Sequence, residues 1–259
     1  MPKPRIVRAI HANRGVEAAY RAAMLRLVQE MAESVEYWLM AQYKKSSPLM
    51  AQDELPSDAM QKRVHKLFKQ WKKKFEAQAN PMAELYVGRA FSTTSRAFQM
   101  ALKDAGWTVN MKMTRQMRDS LNASIGENVG LIRSIPEHYL NQVEGMVMRA
   151  YAAGGDMQQL TRDLRTLYPQ AKRRIETIAR DQNNKASAVV VRARRVELGI
   201  TDAIWLHSHG GKEPRPTHVA MSGKRFKVAD GMWDSAVKKM IQPGEEINCR
   251  CVSRAILPF

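Results

Sequence analysis

The chain has 259 residues, of which 44% are hydrophobic. That is enough apolar material for one large domain or two ordinary ones, and it excludes wholesale disorder. Forty-two Lys and Arg against 25 Asp and Glu leave a formal charge of +17, which favours polyanionic partners, either nucleic acid or an anionic membrane face. No stretch approaches the ~20 apolar residues of a membrane helix, and Met1-Pro2-Lys3-Pro4-Arg5 lacks the apolar core of a signal peptide. The expectation is a protein kept in a cytoplasm unless something packages it.

The first two thirds read as helix. Across 16–43, the residues Met24, Val28, Met31, Val35 and Trp38 recur at steps of four and three, which makes one apolar stripe for packing against other helices. Ser46-Ser47-Pro48 breaks the pattern, and Ser57-Asp58 offers a cap for a helix over 59–79. Val64, Leu67, Phe68, Trp71 and Phe75 form its apolar face. Lys62, Lys66, Lys69 and Lys73 form a row beside Arg63, Lys72 and Lys74. No acidic residue lies between Lys62 and Lys74, so the face repels itself unless an anion neutralises it.

Asn80-Pro81 predicts a break, with a further helix over 82–103 closed by Ala105-Gly106. The polar, Met-rich span 110–132 has helical composition. Ile135-Pro136 predicts a new helix carrying Leu140, Val143, Val147 and Tyr151, stopped by Gly154-Gly155. Asp156 caps a short helix through Leu160, Leu164 and Leu167 that is expected to stop at Tyr168-Pro169. A long helix over 170–198 then ends at Gly199. It carries Lys172, Arg173, Arg174, Arg180, Lys185, Arg192, Arg194 and Arg195 against Glu176, Asp181 and Glu197, a second basic surface.

After Gly199 the pattern changes. Ala203 to His207, Arg225 to Val228 and Cys251 to Leu257 read as strands, separated by loops rich in Gly and Pro. The fold class is therefore mostly α with a small C-terminal α+β unit. His207, His209, His218, Cys249 and Cys251 concentrate five candidate soft-metal ligands in this stretch. A disulfide between Cys249 and Cys251 would close a strained small ring. The two are free thiols, packed as small apolar groups, or metal ligands together with His218. Cys-x-Cys is tighter than the usual zinc-finger spacing, and the residues alone favour packing over zinc.

Gly199-Ile200, Trp205, Arg215-Pro216-Thr217-His218, Gly223 and Pro243-Gly244-Glu245 leading to Asn248-Cys249-Arg250-Cys251 occur in an order that resembles the phage Mu F-like head morphogenesis family, the minor head proteins. Ile178-Ala179-Arg180 supplies that family's preceding helical stretch, and the resemblance covers about 128–252. The acidic residue that precedes Arg-x-x-His in the family appears here as Lys212-Glu213-Pro214. The resemblance divides the chain into a helical region 1–127, the helical part of the Mu F-like domain 128–199, and a small α+β unit 200–259. It implies a structural role in the virion at the head interior or portal vertex, after assembly in the host cytoplasm. The implied partners are portal and capsid proteins. On the residues alone, double-stranded DNA is expected to meet Lys62, Arg63, Lys66, Lys69, Lys73, Lys172, Arg173, Arg174, Arg192, Arg194 and Arg195 without sequence preference.

Two other readings compete. A metal-dependent hydrolase or nuclease would use the His and Cys cluster, but it would need a general base, and the nearby acids Glu213, Asp230, Asp234, Glu245 and Glu246 fall mostly in loops. A sequence-specific DNA regulator would need a compact helix-turn-helix, and none stands out. No catalytic residue and no cofactor other than a candidate zinc is expected.

Overall fold

The computed structural model describes residues 4–45, 56–154, 156–211 and 213–259. Four long helices come first: α1 (Arg14–Lys45), α2 (Pro56–Asp104), α3 (Arg115–Ala152) and α4 (Met157–Glu197). The short elements follow as β1 (Asp202–Leu206), α5 (Pro216–Met221), β2 (Arg225–Lys227), β3 (Met232–Asp234), β4 (Lys239–Ile241) and β5 (Val252–Ile256). The fold is mostly helical with a small C-terminal part of short antiparallel strands.

Three expected breaks are absent. α2 runs through Pro81, α3 through Pro136 and α4 through Pro169. A proline inside a helix removes one backbone hydrogen bond and crowds the carbonyl four residues back, costing about 3 kcal/mol. The apolar residues on either side outweigh that cost. Phe75, Ala79 and Ala83 are fully buried around Pro81, and Ile132, Ile135, Tyr139 and Leu140 are buried around Pro136. Each large buried side chain contributes about 1.5–3 kcal/mol. The Ser46-Ser47-Pro48 break and Gly155 lie outside the described residues.

The Asp156 and Gly199 caps are where the sequence places them, whereas α2 starts at Pro56 and takes the expected Ser57-Asp58 cap inside the helix. Asp156 Oδ1 accepts from the backbone N–H of Gln158 at 2.8 Å and of Gln159 at 3.0 Å, and α4 starts there. Gly199 ends α4 with φ +67°, and Ile200 N–H bonds back to the Arg195 carbonyl at 2.9 Å. This left-handed closure is one that glycine adopts without strain.

Two compact units divide the chain, and neither is one continuous stretch. One gathers Ala19–Ala83 and Glu127–Ile178; the other gathers Met1–Ala18, Glu84–Gly126 and Ala179–Phe259. Within the first, segments of all four long helices are tied side to side. Lys74 pairs with Glu30 at 2.6 Å, Lys72 with Glu137 at 2.9 Å and Arg165 with Glu36 at 2.7 Å, while Arg174 donates to Ser134 Oγ at 3.1 Å. The core between them holds Met24, Val28, Met31, Val35, Leu39, Leu67, Phe75, Leu140 and Leu160. Trp38 was expected to extend the α1 stripe, yet it is 39% exposed and Leu39 takes the buried place. A step of four from Val35 keeps the stripe on one line, whereas a step of three turns the indole to the rim. There Trp38 packs edge-on against Tyr37, and the Arg63 guanidinium lies 5.0 Å from its ring.

In the second unit, β1 is the central strand of the order β2-β1-β5, antiparallel to both neighbours. The N-terminal segment lies along β5, with Val7 N–H on the Ala255 carbonyl and Leu257 N–H on the Arg5 carbonyl, both at 2.9 Å. Val7, Ile10, Phe98, Leu102, Val191, Ile200, Ala255 and Leu257 make one core cluster, so α2 and α4 supply much of the apolar cover. β3 and β4 form a separate hairpin in which Trp233 faces Met240.

Asp202 anchors the start of the central strand. Its carboxylate accepts from Arg225 Nε at 3.0 Å, Lys227 Nζ at 3.1 Å and Thr201 Oγ1 at 2.8 Å. Arg225 foremost, with these other donors, holds the carboxyl well below the usual carboxylate range despite its desolvation.

Two outcomes are expected. Leu39→Ala lowers stability by about 2–5 kcal/mol, whereas Trp38→Ala costs only about 0.5–1 kcal/mol, the scale of an exposed cation–π contact; urea unfolding of both variants checks the order. Because Asp202 ionises more readily in the folded state, its contribution is fully present above the unfolded carboxyl pKa of about 3.9 and is lost as pH falls toward the lower folded value. The stability gap between the native chain and Asp202→Asn therefore narrows below about pH 4, which unfolding curves at pH 7 and pH 3 measure.

Candidate functional site

The site is built on the C-terminal strands. Pro216 opens α5 and places His218 on its buried side, at 2% exposure. His218 Nδ1 lies 3.5 Å from Cys249 Sγ and 3.7 Å from Cys251 Sγ. Both sulfurs are buried and neither is in a disulfide. His218 Nε2 faces Asp234 Oδ2 at 3.1 Å, and Asp234 is fully buried at the end of β3. Its other oxygen accepts from Ala236 N–H at 2.9 Å. Burial pushes the Asp234 carboxyl up, but the Ala236 N–H, the neighbouring Thr217 hydroxyl and the His218 ring together hold it below its ordinary value. An ionised Asp234 accepts only, so the proton sits on Nε2 and the Nδ1 lone pair faces the sulfurs. Trp205, fully buried on β1, stacks edge-on with His218 at 5.7 Å and with Phe226 at 5.9 Å.

The thiols act on each other. The Cys251 side chain lowers the Cys249 pKa to about 6, against the effect of burial, with the backbone N–H groups of Cys251 and Gly244 in support. The Cys251 thiol is raised, first by the same hydrogen bond and then by desolvation, while Trp205 and the Ser208 backbone favour its thiolate. Proton sharing across the pair is the physical cause, with Cys249 the more readily ionised member.

The terminal motif is held against α4. The backbone N–H of Asn248, which takes a left-handed φ of +60°, donates to Asp181 Oδ1 at 2.6 Å. Arg180 reaches Asn248 Oδ1 at 3.4 Å, so the Ile-Ala-Arg stretch meets the Asn-Cys-Arg-Cys segment. Gly244 has φ +85°, and a Cβ there would lie 2.9 Å from Ala188 Cβ; only glycine lets the turn approach the helix so closely. Arg215 donates to the Ile247 carbonyl at 2.8 Å and Arg250 to the Gly210 carbonyl at 2.7 Å. Gly223 N–H bonds the Trp205 carbonyl at 2.8 Å. Trp205, Arg215, His218, Gly223, Asn248, Cys249, Arg250 and Cys251 thus all belong to one arrangement of loops. Of the other candidate ligands, His207 is partly buried and stacks edge-on with the exposed His209 at 4.6 Å. Glu213 is exposed, and Lys212 lies outside the described residues.

The basic residues separate into two kinds. Lys62, Lys66, Lys69, Lys73, Lys172, Arg173, Arg174 and Arg192 are exposed, and Arg63 is partly so. The α2 row is less one-sided than its own helix suggests, since other helices bring Glu137 to Lys72 and Glu30 to Lys74. No described carboxylate pairs with Lys66, Lys69 or Lys73. Arg194 and Arg195, expected on the basic surface, are instead 5% and 4% exposed. Arg194 pairs with Glu197 at 2.7 Å and bonds the Lys112 carbonyl. Arg195 bonds Ser253 Oγ at 2.7 Å and the Ser253 carbonyl at 2.8 Å, and burial lowers its pKa to about 10. Both serve the interior, Arg194 on the Lys112 carbonyl and Glu197, and Arg195 on Ser253 of β5.

Sequence reasoning missed Asp234 as the partner of His218 and set it down as a solvated loop acid. The signal was its place directly after Met232-Trp233, where an acid inside an apolar stretch needs a buried partner. Asp181 and Ser253 carried no such signal.

Residues 141–254 match the family model described as Phage Mu protein F like protein, and this part of the chain is similar to that family. Over 259 residues the chain is 26% identical to an uncharacterized protein of Haemophilus influenzae, covering 98% of this chain and 56% of that protein. The chain thus spans little more than half the length of the relative it matches. No solved structure matches.

Asp181→Ala is expected to lower stability by about 1.5–3 kcal/mol, the value of a hydrogen bond to a charged group. Thermal melts check this, with Glu176→Ala as a control on the same helix.

Proposed function

We propose that the chain is a minor head protein of a phage-type particle, associated with the portal vertex and acting in head morphogenesis or in genome packaging and delivery. The family match over residues 141–254 carries this reading. The +17 charge supports a place beside packaged DNA. Portal and capsid proteins are the protein partners in this proposal, and duplex DNA is a non-specific one. The site's burial speaks against the hydrolase or nuclease alternative. Cys249, His218 and Asp234 have the parts of a nucleophile, a base and an orienting acid, but sulfurs that are 3% and 5% exposed offer a substrate no approach. No described helix is long and apolar enough to cross a membrane.

The DNA surface we propose is the α2 row Lys66, Lys69 and Lys73 together with Lys172, Arg173 and Arg174, without Arg194 and Arg195. The chain binds duplex DNA with a Kd of about 10⁻⁴–10⁻⁶ M at physiological salt. Reversing Lys66, Lys69 and Lys73 to Glu flattens the slope of log K against log[salt] by about two to three. An unchanged slope removes this row from the interface. The morphogenetic role is tested by omitting the chain during assembly: normal, infectious heads of full yield would overturn it.

A further inference from the structure

We propose that His218 Nδ1, Cys249 Sγ and Cys251 Sγ bind a zinc ion. Among the described residues these three ligand atoms all lie within 4.8 Å of one another, and all three residues are buried. Zn–S bonds of about 2.3 Å and Zn–N bonds of about 2.0–2.1 Å, set tetrahedrally, put neighbouring ligand atoms roughly 3.5–3.8 Å apart. The His218-to-sulfur separations of 3.5 and 3.7 Å are edges of that size. One nitrogen lone pair can accept from only one thiol at a time, so hydrogen bonding alone does not account for both sulfurs.

The surroundings are those of a metal ligand set. Asp234 fixes the His218 tautomer from behind, the carboxylate–histidine–metal arrangement that turns the lone pair inward and makes the ring a better donor. Asp234 has no solvent exposure, so its burial is accounted for if the histidine it supports carries a cation on its other side. A mixed sulfur and nitrogen set suits zinc over magnesium, calcium or manganese.

Binding releases the thiol protons to solvent and leaves two thiolates and a neutral imidazole on the ion. Among the described residues no fourth His, Cys, Asp or Glu joins the three, so the fourth position would be left to an exogenous ligand such as water. His207 on the adjoining turn accepts the His209 N–H on Nδ1 at 3.1 Å, which puts its own proton on Nε2 and takes the ring out of ligation. The ion would tie α5 to the segment leading into β5.

The test uses the full chain, purified under reductant from zinc-replete cells. Elemental analysis should return one zinc per chain, and stripped protein titrated with Co²⁺ should develop thiolate-to-cobalt charge-transfer absorption that saturates at one equivalent. Cys251→Ser should lose the stoichiometric zinc. Asp234→Asn should keep the site but weaken zinc affinity about 10–100-fold, with far-UV circular dichroism confirming the fold of each variant. A natively folded wild-type chain that carries no zinc and gives no cobalt–thiolate band overturns the proposal, whatever the variants do. Unchanged zinc content in a folded Cys251→Ser also overturns it.

Discussion

Three short strands and a two-stranded hairpin do not bury enough apolar surface to hold long loops rich in Gly and Pro. The end of α4 supplies what they lack. Val191 enters the core with Ala255 and Leu257, Arg195 spends its guanidinium on Ser253, and Asp181 takes the backbone N–H of Asn248. Each of these bonds would be modest alone, but they act where the alternative is a buried donor or acceptor without a partner, which costs about 1–3 kcal/mol. A buried guanidinium with no carboxylate beside it persists because its Nη1 and Nη2 groups meet a hydroxyl and a carbonyl fixed by the strand, while Nε is left without a partner.

The same constraint explains why the Ala179-Arg180-Asp181 stretch and the Asn-Cys-Arg-Cys segment belong together although 68 residues of sequence separate Arg180 from Asn248. Arg180 and Asp181 are neighbours in α4 and both reach Asn248, one at its side chain and one at its backbone. Arg215 and Arg250 then tie the two remaining loops to carbonyls at 2.8 and 2.7 Å. The arginines of the motif therefore hold backbone, and the histidine and cysteines fill the space that this leaves.

Local signals carried much of this fold. The apolar stripe of α1, the Asp156 cap and the Gly199 stop act over a few residues, so they can be read along the chain. What failed depends on tertiary packing. Pro81, Pro136 and Pro169 look like stops until the burial of the flanking residues is set against about 3 kcal/mol each. Trp38 differs from Leu39 by one helical position, about 100° around the axis, and periodicity at that resolution does not decide which is buried. The six-residue α5 and the three-residue β3 and β4 are too short to have a period. Yet α5 and β3 bring Asp234 to His218, so the identity of the cluster was legible and its supporting acid was not.

Charge shows the same limit in another form. Eight arginines and lysines along 172–195 make one basic run on paper. Folding sends Arg194 and Arg195 inward and leaves Lys172, Arg173, Arg174 and Arg192 outward. In α2 the row survives at Lys66, Lys69 and Lys73, while Lys72 and Lys74 find carboxylates on other helices. Counterion release depends on how many unpaired cations can reach phosphate. The net charge of the chain therefore overstates the unpaired charge on any one face, and Lys66, Lys69 and Lys73 of α2 form one row that no described carboxylate pairs.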